Sequence, residues 1–68
     1  MAAFKDSRIT ELKRQISLLR NEEERLRWII SSEFVSDKLK DRARRDLQSV
    51  LENLFAAGHE LKQLEEVL

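Results

Sequence analysis

Apolar residues in the first half of the chain recur at alternating steps of three and four residues. The positions of this repeat, in which Glu23 replaces one apolar residue, are Ile9, Leu12, Ile16, Leu19, Glu23, Leu26 and Ile30. This alternation is the heptad pattern of a helix that packs along another helix. It predicts a first helix over about residues 7–31, capped by Asp6 or Ser7 and preceded by an irregular leader.

The same repeat returns in the second half of the chain and predicts a second helix over about residues 37–67. Its positions are Leu47, Val50, Leu54, Ala57, Leu61, Leu64 and Leu68. We call the two sets of repeat positions the seam of each helix.

A break between the helices is predicted at about residues 32–36. Serine side chains compete for backbone hydrogen bonds, so Ser31 and Ser32 disfavour a helix interior. Ser36 followed by Asp37 is a good N-cap with an acid in the first turn. Since neither Gly nor Pro marks this break, one continuous helix of about 60 residues is the alternative.

Folding the chain back at Val35 pairs residues whose numbers sum to about 70. Leu12 then lies opposite Ala57, and Leu26 lies opposite Ala43, so that a large side chain faces a small one. The charged residues favour the same register. It brings the basic residues in 5–14 near the acids in 60–66, and it brings acids 22–24 near Arg44 and Arg45. Two patterns that agree on one register favour the antiparallel hairpin.

The chain has more apolar residues than one stripe on each helix would bury. With 68 residues and no Cys, a single core barely supports folding and no disulfide can add to it. We therefore predict an all-α, coiled-coil-like antiparallel two-helix hairpin, one unit over residues 1–68, that pairs into a four-helix bundle as a homodimer or docks onto another protein. The residues that we expect in this protein interface are Trp28, Ile29, Phe34, Leu39, Leu51 and Phe55.

Gly58 lies within the second predicted helix, where glycine costs about 1 kcal/mol relative to alanine. With Ala56 and Ala57 it forms a patch of small residues, which predicts a close approach of the first helix. The neighbouring His59 is expected to face solvent.

The composition gives no sign of enzyme chemistry. There is one His, no Cys, no Tyr and no Gly-rich phosphate loop, so we predict no catalytic residue, no cofactor, no metal site and no small-molecule substrate. No apolar run approaches the roughly 20 residues that cross a bilayer. These observations favour a cytoplasmic protein that is not an enzyme and does not enter membranes.

The alternative function is nucleic-acid binding. Although the 13 basic and 13 acidic residues balance, a basic cluster lies at the start of the second predicted helix. The predicted architecture resembles in shape the dimeric helical hairpins of the Rop type, without a shared motif, and the resemblance implies binding of RNA or DNA from a helical face. The residues of this basic cluster are Lys38, Lys40, Arg42, Arg44 and Arg45.

A non-enzymatic protein-interaction module fits these patterns best. Its surplus apolar face would bind a second copy or another protein, as in a small regulator, an adaptor or an assembly chaperone. In the predicted register, acids 22–24 and Asp41 neutralise part of the basic cluster, which makes nucleic acid the weaker hypothesis.

Overall fold

A computed structural model describes the backbone of residues 2–67 and the side chains of residues 6–66. This part of the chain forms two α-helices and no strand: α1, Ala2–Ser31, and α2, Asp37–Val67. The helices pack antiparallel into a rod of 51 × 14 × 12 Å. The predicted helical hairpin is confirmed, and the alternative of one continuous helix is wrong. The last predicted seam position, Leu68, lies outside the described residues.

The first helix begins earlier than the sequence pattern predicts. It starts at Ala2 and contains 30 residues, which corresponds to about 45 Å. Asp6 and Ser7 therefore lie inside α1, and the prediction that one of them caps it is wrong. The physical reason is that Ala2 and Ala3 are strong helix formers and no Gly or Pro precedes the seam.

The second helix begins where its cap predicts. The backbone N–H of Leu39 donates to the Ser36 hydroxyl at 3.4 Å, and the N–H of Lys40 donates to the Ser36 carbonyl at 3.0 Å. Asp37 places a negative charge in the first turn, where the helix dipole favours it. The Ser36 hydroxyl thus satisfies the Leu39 N–H, which has no backbone partner at the start of the helix, and the Ser36 carbonyl accepts the first hydrogen bond of the helical ladder.

Serine side chains also terminate α1. The Ser31 hydroxyl donates to the carbonyl of Trp28 at 3.2 Å, and the backbone N–H of Phe34 donates to the Ser32 hydroxyl at 3.3 Å. Polar side chains therefore provide partners for the backbone at residues 31–36. This explains how the chain turns without Gly or Pro.

The core is a narrow stripe along the seam, which Lys40 and Ala43 continue toward the turn at the same spacing of three and four residues. Leu12, Leu26, Ala43 and Val50 are the buried apolar residues among the described side chains, and the last three form one cluster. The pairing of Leu26 with Ala43 confirms the predicted register. Half-buried residues pack around this cluster: Leu19, Ile29, Ile30, Leu47 and Leu54.

Glu23 occupies the one polar position of the first seam. Its side chain keeps 24% of its accessible surface, and its carboxylate accepts hydrogen bonds from the Arg27 guanidinium at 2.9 and 3.0 Å. Arg27 lies one turn later, in the favourable order for a pair within a helix. The seam therefore tolerates the carboxylate because a cation accompanies it.

Replacing Leu26 tests how much of the stability depends on this stripe. We expect Leu26→Ala to lower the free energy of unfolding by about 2–4 kcal/mol, because it opens a cavity beside Ala43 and Val50. Urea unfolding followed by circular dichroism measures the change. Leu18→Ala, at a side chain that is 60% exposed, is the matched control and should cost under about 1 kcal/mol. Equal losses in the two variants would contradict the assigned core.

Candidate interaction surface

Six large apolar side chains remain exposed in the hairpin. Their exposed fractions run from 39% for Leu51 to 97% for Phe34. Five of the six belong to the predicted interface, and sequence reasoning left Leu18 out of it although Leu18 lies off the seam. The exposed set comprises Leu18, Trp28, Phe34, Leu39, Leu51 and Phe55.

An ion pair between the helices identifies one flank of the hairpin. The Arg8 guanidinium donates to the Glu60 carboxylate at 2.6 and 2.7 Å, and each of these residues directly precedes a seam position. Gln15, Leu18, Asn53 and Ala56 also directly precede seam positions, and they line the same groove as Arg8 and Glu60. We call this side of the hairpin the ion-pair flank.

The opposite flank carries the residues that directly follow a seam position, because each residue advances about 100° around the helix. Leu51 follows Val50, and Phe55 follows Leu54. We call this side the Phe55 flank. The charged residues that follow seam positions, and therefore belong to the same flank, are Lys13, Arg20, Glu24, Arg27, Asp41, Arg44, Lys62 and Glu65.

The charged side chains of the two helices pair less across the hairpin than the sequence predicts. Glu22 pairs with Arg25, and Arg44 pairs with Asp41, each at 2.7 Å and within one helix. The predicted approach of residues 22–24 to Arg44 and Arg45 produces no ion pair among the described side chains. For Glu22 the reason is that it precedes a seam position while Arg44 follows one, so these two residues lie on opposite flanks. Arg8–Glu60 confirms the predicted approach of residues 5–14 to residues 60–66.

A groove of about 490 Å³ runs along the ion-pair flank. Leu12 and Leu19 contribute to it from the seam of α1, and Ala56 and Ala57 contribute from α2. The small side chains of α2 leave this groove open opposite Leu18. The predicted pairing of Leu12 with Ala57 agrees with this lining.

Apolar residues also occur near the turn. Trp28 and Phe34 are both exposed there, and no aromatic pair joins them among the described side chains. Ile29 is half-buried and packs against the core cluster, which reduces what it offers to a partner. Leu39 is 55% exposed on the ion-pair flank.

Gly58 lies on the Phe55 flank, away from the other helix. A Cβ atom added there would meet no atom within 4 Å, so the predicted close approach of α1 at Gly58 is wrong within the hairpin. Nearby, the exposed rings of Phe55 and His59 stack with centroids 6.4 Å apart. The surface around Gly58 is therefore open and partly aromatic.

The predicted basic cluster is divided around α2. Lys38, Arg42 and Arg45 share one shallow surface with Asp41 and Asp46. The other members lie elsewhere: Lys40 is half-buried at a seam position, and Arg44 lies on the Phe55 flank. Asp41 lies at the edge between the two surfaces and pairs with Arg44. The structure thus brings three of the five basic residues together and places two carboxylates among them.

Neither helix contains an apolar stretch long enough to cross a membrane in the part of the chain that the structure describes. Over the same residues, no three His, Cys, Asp or Glu side chains come together as metal ligands. We compared the chain with protein-family models, with curated proteins and with solved structures, and none of them matched.

Gly58→Ala tests whether the hairpin itself needs a glycine here. Because the added methyl group meets open space, we expect the free energy of unfolding to rise by about 0.5–1 kcal/mol through helix propensity alone. Urea unfolding at the lowest protein concentration that circular dichroism allows measures this without a contribution from association. A loss of stability under those conditions would show that α1 does contact Gly58.

Proposed function

We propose that this chain is a protein-interaction module that binds another macromolecule through its exposed apolar side chains and catalyses no reaction. The observation that carries the proposal is the imbalance between the inside and the outside of the hairpin. Among the described residues, four apolar residues are buried, whereas six large apolar side chains are exposed. Exposed apolar surface on this scale is typical of association sites.

The free energy at stake supports association. Complete burial of a large apolar side chain contributes about 1.5–3 kcal/mol. Phe55, Trp28 and Phe34 are at least two-thirds exposed in the isolated hairpin, so a partner that covers them would gain much of this amount at each. Aromatic residues are also over-represented among the residues that dominate binding energies at interfaces.

A four-helix bundle is the assembly that this shape favours. Two rods bury their apolar flanks most fully when they pack side by side. Four-helix bundles built from antiparallel hairpins need only a short loop within each hairpin. A second copy of the chain or a helical segment of another protein would serve as the second pair of helices. In either case we propose the role of a small cytoplasmic regulator, adaptor or assembly chaperone.

Nucleic-acid binding is the second candidate, and it is supported less. It rests on Lys38, Arg42 and Arg45, which share one surface. Asp41 and Asp46 on the same surface weaken its positive potential, and phosphate binding depends on that potential. A gel shift with RNA and DNA at two salt concentrations, with Arg42 and Arg45 changed to Glu, tests this candidate directly.

Phe55→Asp tests the proposed function. We expect the variant to keep its helix content, because Phe55 is 79% exposed, and to lose association by at least about tenfold, because a charge cannot enter an apolar contact without a large desolvation cost. Light scattering of the purified chain, and capture from a cell extract with mass spectrometry, measure association with itself and with other proteins.

Asn21→Asp is the matched control, because it adds the same charge at an exposed polar position. It should leave every association unchanged. The proposed function fails if the wild-type chain stays monomeric and captures no protein that Phe55→Asp releases. Salt-sensitive nucleic-acid binding together with that result would establish the second candidate instead.

A further inference from the structure

The apolar pair of the Phe55 flank lies near the middle of the rod. Leu51 and Phe55 are close to the midpoint of α2, Asp37–Val67. A two-fold rotation about an axis beside Leu51 would therefore lay this flank on itself along nearly its whole length. The face that the rod offers measures about 51 by 14 Å, which gives room for an interface of the roughly 800 Å² per partner that stable complexes bury.

The charges of α2 on this flank are arranged symmetrically about the same point. Asp41 precedes Leu51 by ten residues, and Lys62 follows it by eleven. Both directly follow seam positions, so both belong to the Phe55 flank. When two copies pack antiparallel, α2 against α2, Asp41 of one copy lies opposite the partner's Lys62, and this opposite-charge contact occurs twice.

The charges of α1 choose the same axis independently. Lys13 and Glu24 lie on the Phe55 flank, and the midpoint between them falls between residues 18 and 19. The hairpin pairs residues whose numbers sum to about 70, as Leu26 and Ala43 do in the core, so this midpoint is level with Leu51 of α2. The rotation that pairs Asp41 with the partner's Lys62 thus also pairs Lys13 with the partner's Glu24.

The monomer leaves these charges available. Lys13, Glu24 and Lys62 make no ion pair among the described side chains, whereas Asp41 pairs with Arg44 within α2. The same rotation places Arg44 over the partner's Gly58, where the absence of a side chain leaves open space. Two like-charge contacts oppose these pairs: Asp37 meets the partner's Glu65 at both ends of the dimer, and Arg20, close to the axis, lies near the partner's Arg20. All three side chains are exposed, and exposed charges interact weakly.

We propose that the Phe55 flank binds the Phe55 flank of a second copy of this chain, with the hairpins antiparallel, their turns at opposite ends and the two-fold axis beside Leu51. This rests on the proposed function and names its partner and its geometry. The dimer covers Leu51 and Phe55. It also gives Gly58 a role that the hairpin alone does not, which is to leave room for the partner's Arg44.

Charge reversal tests the assigned contacts. Asp41→Lys puts a positive charge opposite the partner's Lys62. We expect this repulsion, which occurs twice in the dimer, to raise the dimer dissociation constant by about three- to thirtyfold. Adding Lys62→Asp to the same chain restores the attraction and should return the constant to within about threefold of wild type. Sedimentation equilibrium over a range of concentrations measures all three proteins.

Glu22→Lys is the matched control, because it reverses the same charge and also breaks an ion pair within one helix, but at a residue that directly precedes a seam position, on the ion-pair flank. It should leave the dissociation constant near the wild-type value. A failure of Lys62→Asp to rescue Asp41→Lys, or an equal effect of Glu22→Lys, would overturn the proposed contacts. Circular dichroism of each variant verifies that the hairpin is intact.

Cross-linking tests the axis directly, because the chain has no Cys of its own. Leu51→Cys places two thiols beside the two-fold axis, so mild oxidation should link the copies faster than it links Leu18→Cys, whose position is more exposed but on the other flank. Faster linkage of Leu18→Cys would refute this geometry. A wild-type monomer at all concentrations would refute the second copy as partner, while loss of a captured protein by Phe55→Asp would still support the proposed function.

Discussion

The hairpin depends on a narrow fit between large and small side chains along one seam. Leu26 packs with Ala43 and Val50, and Leu12 lines a groove with Ala57. Small residues in α2 let the leucines of α1 reach across the seam, where packed apolar contact provides the main favourable energy. The capped ends at Ser32 and Ser36 then fix where the chain reverses.

The same fit limits what the hairpin can bury. Two helices share one contact stripe, so side chains outside it remain in water whatever their polarity. Leu51 and Phe55 on one flank, and Leu18 and Leu39 on the other, are exposed for this reason. The ion pairs within each helix and the Arg8–Glu60 ion pair between the helices add little to the stability of the hairpin, because ion pairs at the surface contribute about 0–1 kcal/mol each. We therefore propose that association gives such a small core further apolar contact.

The sequence predicts the seam, the turn and the register because these follow from residue spacing and from residue type. A step of three and four residues fixes which face of a helix is buried, and three serines with Asp37 mark the turn. The register follows because only one alignment places Leu26 beside Ala43. The start of α1 is not predicted, because the helix-forming Ala2 and Ala3 extend α1 past the cap candidates Asp6 and Ser7.

The register shows which residues lie at the same level along the rod, but it does not show on which flank each residue lies. Residues 22–24 and Arg44 lie at similar levels along the rod, yet Glu22 and Arg44 lie on opposite sides of it, so their charges pair within their own helices. Gly58 likewise looks like a point of close approach until the structure shows which side it faces. The sequence identifies most of the exposed apolar residues as positions outside the seam, but their division between two flanks and the turn follows only from the structure.

The dependence of the melting temperature on protein concentration tests most directly whether association completes this fold. A chain whose folded state gains contacts from a partner is stabilised by mass action, so its melting temperature should rise by several degrees over a hundredfold range of concentration. Circular dichroism at 222 nm with cells of different path length covers that range. A melting temperature that stays constant throughout would show that the isolated hairpin is stable with its apolar flanks in water, and would contradict the account.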